Sequence, residues 1–289
     1  MPNENKASKA IKGQNAFVVK AKAYADKVLG LPNDSIEKTI AIAVAICLVG
    51  AVFVSVSAVA LKPLQVANKE LDMKRNILSV VDLLEEGASP DEINEAFQQF
   101  ETKIVDLETG DYVDDIDVVT YDQRKAAKEP AQHIMIDRAD DLAKIKTRAK
   151  YAKVYLLKED DAIQAVILPV HGYGLWSTMY GFLAVEGNGQ TVIGINFYDQ
   201  AETPGLGGEI VNPNWRALWK GKEIYNENGE PVLGLIKGTV DTSRDEAVNQ
   251  VDGLAGATLT SVGVTNLVRY WMSSQGFSPY LEKIKSDEG

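Results

Sequence analysis

The sequence predicts an α+β protein: one N-terminal transmembrane helix, then a larger domain with a mostly antiparallel sheet flanked by helices. Three observations carry this expectation. Residues Thr39 to Leu61 run 23 positions without a charge, Asn, Gln, His or Pro. Two strand–turn–strand patterns stand next to each other between Val154 and Phe197. Helical periodicity lies before and after them without regular βαβ alternation, which argues against a doubly wound sheet.

The elements follow in chain order. Residues 1–38 hold seven Lys (6, 9, 12, 20, 22, 27 and 38) against four acids, a balance of +3 in a chain whose net charge is −11. The apolar run after this leader, at ~1.5 Å per residue, is long enough for a hydrocarbon core of ~30 Å. Ala58-Val59-Ala60 resembles a signal-peptide cleavage site, but the run is longer than a signal h-region and a long leader precedes it, so an uncleaved anchor is expected. Lys38 and Lys62 bracket the span, Pro63 is expected to stop the helix, and Asp34 with Glu37 reads as a capping box at its start. The positive-inside rule puts the Lys-rich leader in the cytoplasm and residues 62–289 outside, which in a bacterium means an inner-membrane protein with a periplasmic domain.

Beyond the anchor, helical patterns run from Asn68 to about Leu84 and from Ser89 to Phe100, the second opened by Ser89-Pro90-Asp91-Glu92. A further amphipathic helix is expected over Ile136 to Ala149. The period then changes. Val154–Lys158 and Ala162–Val170 flank Glu159-Asp160-Asp161, and Tyr180–Val185 and Thr191–Phe197 flank Glu186-Gly187-Asn188-Gly189-Gln190, both reading as hairpins. A last helix carries Val264, Leu267, Val268 and Trp271 at i, i+3, i+4 and i+7. The expected organisation is leader 1–38, membrane helix 39–61, helix-rich segment 62–150 and ligand-binding domain 151–289.

Composition excludes several functions. An acidic chain with no basic stripe is a poor nucleic-acid partner, because that affinity rests on Lys and Arg neutralising phosphates. A single Cys47, best read as a small packing residue within the span, and two distant histidines, His133 and His171, supply no disulfide, four-thiolate cluster or zinc knuckle. No G-x-x-x-x-G-K-[ST] loop is present, and His171-Gly172-Tyr173-Gly174 only partly imitates a dinucleotide fingerprint. Redox chemistry here would need an organic cofactor.

Three small-residue loops remain. H-G-Y-G-L-W-S-T, His171 to Thr178, offers flat apolar side chains beside glycines; it reads as a planar-ligand wall or as a turn beside a core Trp. E-T-P-G-L-G-G-E, Glu202 to Glu209, reads as a backbone cradle or as a turn. D-G-L-A-G-A-T-L-T-S, Asp252 to Ser261, clears space around Thr258 at a helix start, where free N–H groups and the helix dipole favour an anion, with Thr260 or Ser261 as the cap. Its other reading makes Thr258 one more capping residue.

D-G-L-A-G-A-T resembles the flavinylation motif D-x-x-[ST]-G-A-[TS] of bacterial periplasmic flavin domains, in which a flavin transferase joins FMN through its phosphate to the final hydroxyl. Together with H-G-Y-G-L-W-S, E-T-P-G-L-G-G and the single span, essentially the whole chain from the anchor to Tyr270 is similar to the C-subunit family of Na+-translocating NADH:quinone oxidoreductases. Ala255 departs from the motif, standing where Ser or Thr is usual. The resemblance implies one covalent FMN on Thr258, with Leu175 and Trp176 bordering the isoalloxazine, Thr203 and Leu206 on its other side, and Lys237 near the ring or phosphate. Asp252 would be read by the Mg2+-dependent transferase rather than by the flavin, or be a simple turn acid. It further implies an electron-carrying component of a six-subunit translocase, not catalytic alone, relaying electrons from an iron–sulfur centre to a flavin on the membrane-embedded B subunit. Ion movement would belong to the partner subunits, since the span has no ionisable residue. Two rivals stand beside it: the G subunit of an Rnf-type electron transport complex, and an anchored binding or sensor module without redox function.

Overall fold

The structure, a computed structural model, describes residues 19–287 apart from 21, 86 and 161. Residues 1–18 and 21 of the Lys-rich leader lie outside the described residues. The chain divides into two compact units, residues 1–68 and 69–289.

In the first unit, residues 22–29 are helical, and after a turn the long helix α1 (Ile36–Val80) begins. At the start of the helix the side-chain acceptor is Ser35 rather than the expected Asp34, and among the described residues no reciprocal box bond is made. Ser35 precedes the helix and its Oγ accepts from Lys38 N at 3.5 Å, while Lys38 Nζ donates to Leu31 O at 2.8 Å and Asn33 Oδ1 at 2.9 Å. The apolar run sits inside α1 with its side chains uncovered, Phe53 at 71% and Val54 at 70% exposure, as a single membrane anchor requires. Pro63 does not stop the helix; it lies within α1. Having no N–H, it deletes only the bond to the carbonyl four residues earlier, and the flanking residues continue the ladder on either side.

The second unit is built on one antiparallel sheet. Its strands are β1 (Phe100–Asp106), β4 (Tyr151–Glu159), β5 (Ala162–Tyr173), β6 (Thr178–Glu186) and β7 (Val192–Asp199), adjacent in the order β1-β4-β5-β6-β7. Both expected hairpins are present, β4–β5 and β6–β7, joined by the β5–β6 pairing of Leu168 with Leu183. The sheet is buried on both faces, and the pleat sorts its side chains accordingly. Val154, Leu156, Val166, Leu168, Leu183 and Val185 face a core completed by the C-terminal helices α5 (Thr258–Trp271) and α6 (Ser278–Asp287). Tyr155, Ala165, Ile167, Phe182 and Ala184 face a second core made with Ile77, Leu78 and Val80 of α1 and Ile93 of α2 (Pro90–Phe97). At α2 the sequence is explicit: Ser89 and Glu92 form a reciprocal capping box, with Pro90 in the first turn.

Residues 136–149 do not form the expected helix. After the short α3 (Gln123–Ala126) and the strand β2 (His133–Met135), they form turns and then β3 (Thr147–Ala149), which pairs antiparallel with β2. The cause is local. The Asp141 carboxylate accepts from Ile145 N at 2.8 Å and Lys146 N at 2.9 Å, and Lys144 and Lys146 take positive φ, so side-chain bonds replace the helical ladder. The remaining elements are α4 (Pro213–Ala217), the short parallel pair β8 (Gly234–Leu235) and β9 (Gln250–Val251), and two 3-10 turns, Gly207–Val211 and Asp245–Asn249.

Candidate functional site

Tertiary packing brings the three small-residue loops together. The first joins the end of β5 to β6, the second follows β7, and the third runs into the first turn of α5. Their common point is the Glu202 carboxylate. Oε1 accepts from Leu175 N at 3.1 Å, Trp176 N at 3.0 Å and Ser177 N at 3.4 Å, and Oε2 accepts from the Thr260 hydroxyl at 2.6 Å. Glycines make this approach possible: a Cβ on Gly174 would stand 2.5 Å from Oε1, and one on Gly207 would stand 2.9 Å from Oε2. Burial pushes the Glu202 pKa up, but the bonds from Thr260, Trp176, Leu175 and Ser177 outweigh it and hold the carboxyl below its ordinary value.

The Asp252–Thr258 loop is fixed along its length. Asp252 Oδ1 accepts from Val240 N at 2.8 Å, its carbonyl accepts from Trp215 Nε1 at 3.1 Å, and Gly253 N donates to Gly238 O at 3.0 Å. The loop therefore runs beside residues 236–240, which places exposed Lys237 along its flank. Asp252 thus has a structural partner here. Gly256 takes φ +71°, a turn conformation that suits glycine, and a Cβ there would lie 3.0 Å from Leu206 Cδ2, so Leu206 of the second loop rests against the third.

Thr258 is the first residue of α5, and it is exposed. Thr260 and Ser261 do not cap this helix. Both lie inside it, Thr260 bonded to Glu202 and Ser261 Oγ accepting from Leu254 N while donating to Ala257 O. The N-cap position is Ala257, which offers no side-chain bond, so the first-turn N–H groups beside the Thr258 hydroxyl are left for an external acceptor. Around them large apolar side chains stand in the open: Trp176 at 66%, Leu259 at 60%, Leu206 at 43% and Leu175 at 38% exposure. Thr203 is exposed too, its carbonyl accepting from Leu206 N and Gly208 N. A helix N-terminus without a side-chain cap, bordered by an uncovered aromatic and three leucines, fits a phosphorylated planar cofactor.

Behind the first loop the support is aromatic. His171 stacks on Tyr180 at 5.3 Å and leans on Trp271 at 4.9 Å; Arg124 lies 3.5 Å from the Tyr180 ring centroid and pairs with Asp199 at 2.8 Å. Trp271 Nε1 donates to His171 O at 2.7 Å, tying α5 to β5. Burial, with a smaller push from Arg124, lowers the His171 pKa to about 4, so the imidazole is neutral at pH 7.

Residues 174–273, which contain the second and third loops whole and the first from Gly174 onward, match the FMN-binding domain family. The chain is 47% identical over 257 residues to the C subunit of the Na(+)-translocating NADH-quinone reductase of Pseudomonas aeruginosa, a match spanning 89% of this chain and 98% of that one. The chain belongs to the C-subunit family of Na(+)-translocating NADH-quinone reductases. Other members include those of Vibrio vulnificus, 47% identical over 88% of this chain and 97% of that one, and Haemophilus ducreyi, 46% identical over 89% and 97%. The crystal structure of Shewanella oneidensis NqrC superposes with a TM-score of 0.69 at 33% identity, covering 76% of this chain and 99% of that one. The family member from Parabacteroides distasonis gives 0.58 at 27% identity, covering 76% and 96%.

Sequence reading singles out Thr258, Leu175, Trp176, Thr203, Leu206 and Lys237 but passes over Glu202 and the true partner of Thr260. Glu202 opens the second quoted loop. Its acidity among small residues is visible there, but its four donors come from segments 25 and more positions away.

Proposed function

We propose that this chain is the electron-carrying subunit of a Na+-translocating NADH:quinone reductase, holding one FMN through a phosphoester to the Thr258 hydroxyl. The observation that carries this reading is the exposed Thr258 at the side-chain-free N-terminus of α5, with Leu206 against its loop and Trp176 uncovered on the loop tied to the same helix. The chain's residues divide the task. First-turn N–H groups of α5 receive the phosphate, Leu175 and Trp176 border one side of the ring, Thr203 and Leu206 the other, and Lys237 adds a positive charge beside the loop. FMN, when bound, supplies the redox chemistry, and the protein supplies attachment and orientation. Covalent attachment suits a domain outside the cell, where a released cofactor would be lost.

Asp252 is the residue of this motif that a flavin transferase reads during maturation. Residues 1–38 lie in the cytoplasm, 39–61 cross the bacterial inner membrane, and 62–289, with the flavin domain in 151–289, occupy the periplasm, following the lysine bias. Partner subunits, in a complex of six, provide the donor, the acceptor and the ion path.

The full chain purified from a host carrying the transferase is expected to be yellow and to keep flavin fluorescence on a denaturing gel, and Thr258→Ala is expected to abolish both. A colourless wild-type chain, or a fluorescent Thr258→Ala band, overturns the assignment.

A further inference from the structure

We infer that Glu202 is the positioning residue that makes the ring-side loop and the phosphate-side helix one rigid holder, by serving as their shared hydrogen-bond acceptor. The inference rests on the FMN reading above and extends it to a residue that does not touch the cofactor's attachment point.

Glu202 is only 4% exposed, and none of the ion pairs among the described residues includes it. A carboxylate buried without a cation is costly unless other donors satisfy it. Here they come from two separate places: Leu175, Trp176 and Ser177 N–H from the loop after β5, and the Thr260 hydroxyl from the first turn of α5. Thr260 is two residues beyond Thr258. The same carboxylate therefore fixes the backbone that presents Leu175 and Trp176 and the helix turn that presents Thr258. Because the N–H groups of residues 175–177 are spent on Glu202, that loop meets a ligand with side chains rather than with backbone donors. Two further contacts keep Glu202 in place: its own N–H donates to Gln200 Oε1 at 2.6 Å, and Ser177 Oγ accepts from Ala201 N at 2.9 Å. Gly174 leaves room beside Oε1 and Gly207 beside Oε2.

A buried turn acid that only stabilised the fold would leave the environment of a bound flavin unchanged when softened, whereas a positioning residue alters it. The test uses the full flavinylated chain in detergent with three variants: Glu202→Ala, Glu202→Gln and Thr260→Val. Three properties are read: amide hydrogen exchange at residues 175–177, quenching of flavin fluorescence, and the flavin midpoint potential by redox titration. Glu202→Ala is expected to keep its covalent flavin, lose protection at 175–177, lose quenching and shift the potential. Glu202→Gln retains an acceptor oxygen for the N–H groups and can donate its amide to Thr260 Oγ1, so protection and quenching are expected to return. Thr260→Val cuts only the helix tie and is expected to lose part of the quenching while 175–177 stay protected. A yellow wild-type chain whose Glu202→Ala variant matches it in quenching and potential overturns the inference alone, as does a Gln variant as damaged as the Ala one. A colourless wild-type chain overturns the FMN reading, and this inference with it. Should Glu202→Ala fail to accumulate, Thr260→Val decides: reduced quenching supports the tie, and wild-type quenching refutes it.

Discussion

Gly263→Ala tests the closeness of α5 to the ring-side loop. Position 263 lies inside α5, where replacing Gly by Ala ordinarily stabilises a helix by ~1 kcal/mol. Here the added Cβ would stand 2.7 Å from Tyr173 O and 3.1 Å from Gly174 Cα. Comfortable carbon–oxygen separation is ~3.3 Å or more, so helix and loop must part by roughly 0.6 Å, and the obstructing atoms are backbone with no rotamer to yield. Overpacking of this kind costs ~1–3 kcal/mol, which exceeds the propensity gain. The expected net effect is a destabilisation of about 1 kcal/mol, or a fall in Tm of roughly 2–4 °C for a unit of this size. Thermal unfolding of the full chain in detergent measures it, and flavin quenching reports whether the loop has moved. A variant as stable as wild type, or more stable by the propensity term, would refute the close packing of α5 on residues 173–174.

Three further outcomes follow from the geometry. His171 titrates at about 4 when folded against 6.5 in an unfolded chain; the unfolded state therefore takes up a proton first, and stability falls as pH drops from 6.5 towards 4, by up to ~3 kcal/mol. Urea unfolding at both ends of that window should show a shallower loss in His171→Asn. Asp141→Ala removes the acceptor for Ile145 N and Lys146 N and should cost about 1–2 kcal/mol in the same assay, with flavin quenching unchanged. Trp176→Ala, at a position 66% exposed, should change stability by no more than ~0.5 kcal/mol while raising flavin fluorescence clearly; unchanged fluorescence would remove Trp176 from the ring's border.

The parts legible in the sequence are those whose signal is local. An uncharged 23-residue run, the Ser89–Glu92 box, two hairpins with polar turns and the i, i+3, i+4, i+7 pattern of α5 each carry their cause within a few residues. Residues 136–149 mislead because their apolar spacing suits a helix, yet Asp141 offers the backbone a competing set of bonds that only the three-dimensional turn makes visible. Pro63 misleads for the opposite reason: it has the character of a breaker, but a long helix tolerates the one hydrogen bond it removes. Strand β1 has no local signature, since its ladder with β4 pairs Phe100 with Leu157 across 57 positions, a distance no local pattern spans.

By itself, the sequence determined the membrane anchor, the helix-and-sheet composition and the three small-residue loops. Those follow from periodicity, turn chemistry and residue type, which act over short stretches. Tertiary structure alone decided that the loops meet, that the sheet is covered on both faces, and that Glu202 joins loop to helix while Thr260 serves it rather than capping α5. A buried carboxylate must find its donors wherever the fold puts them, and those partners are set by packing, not by neighbours in the chain.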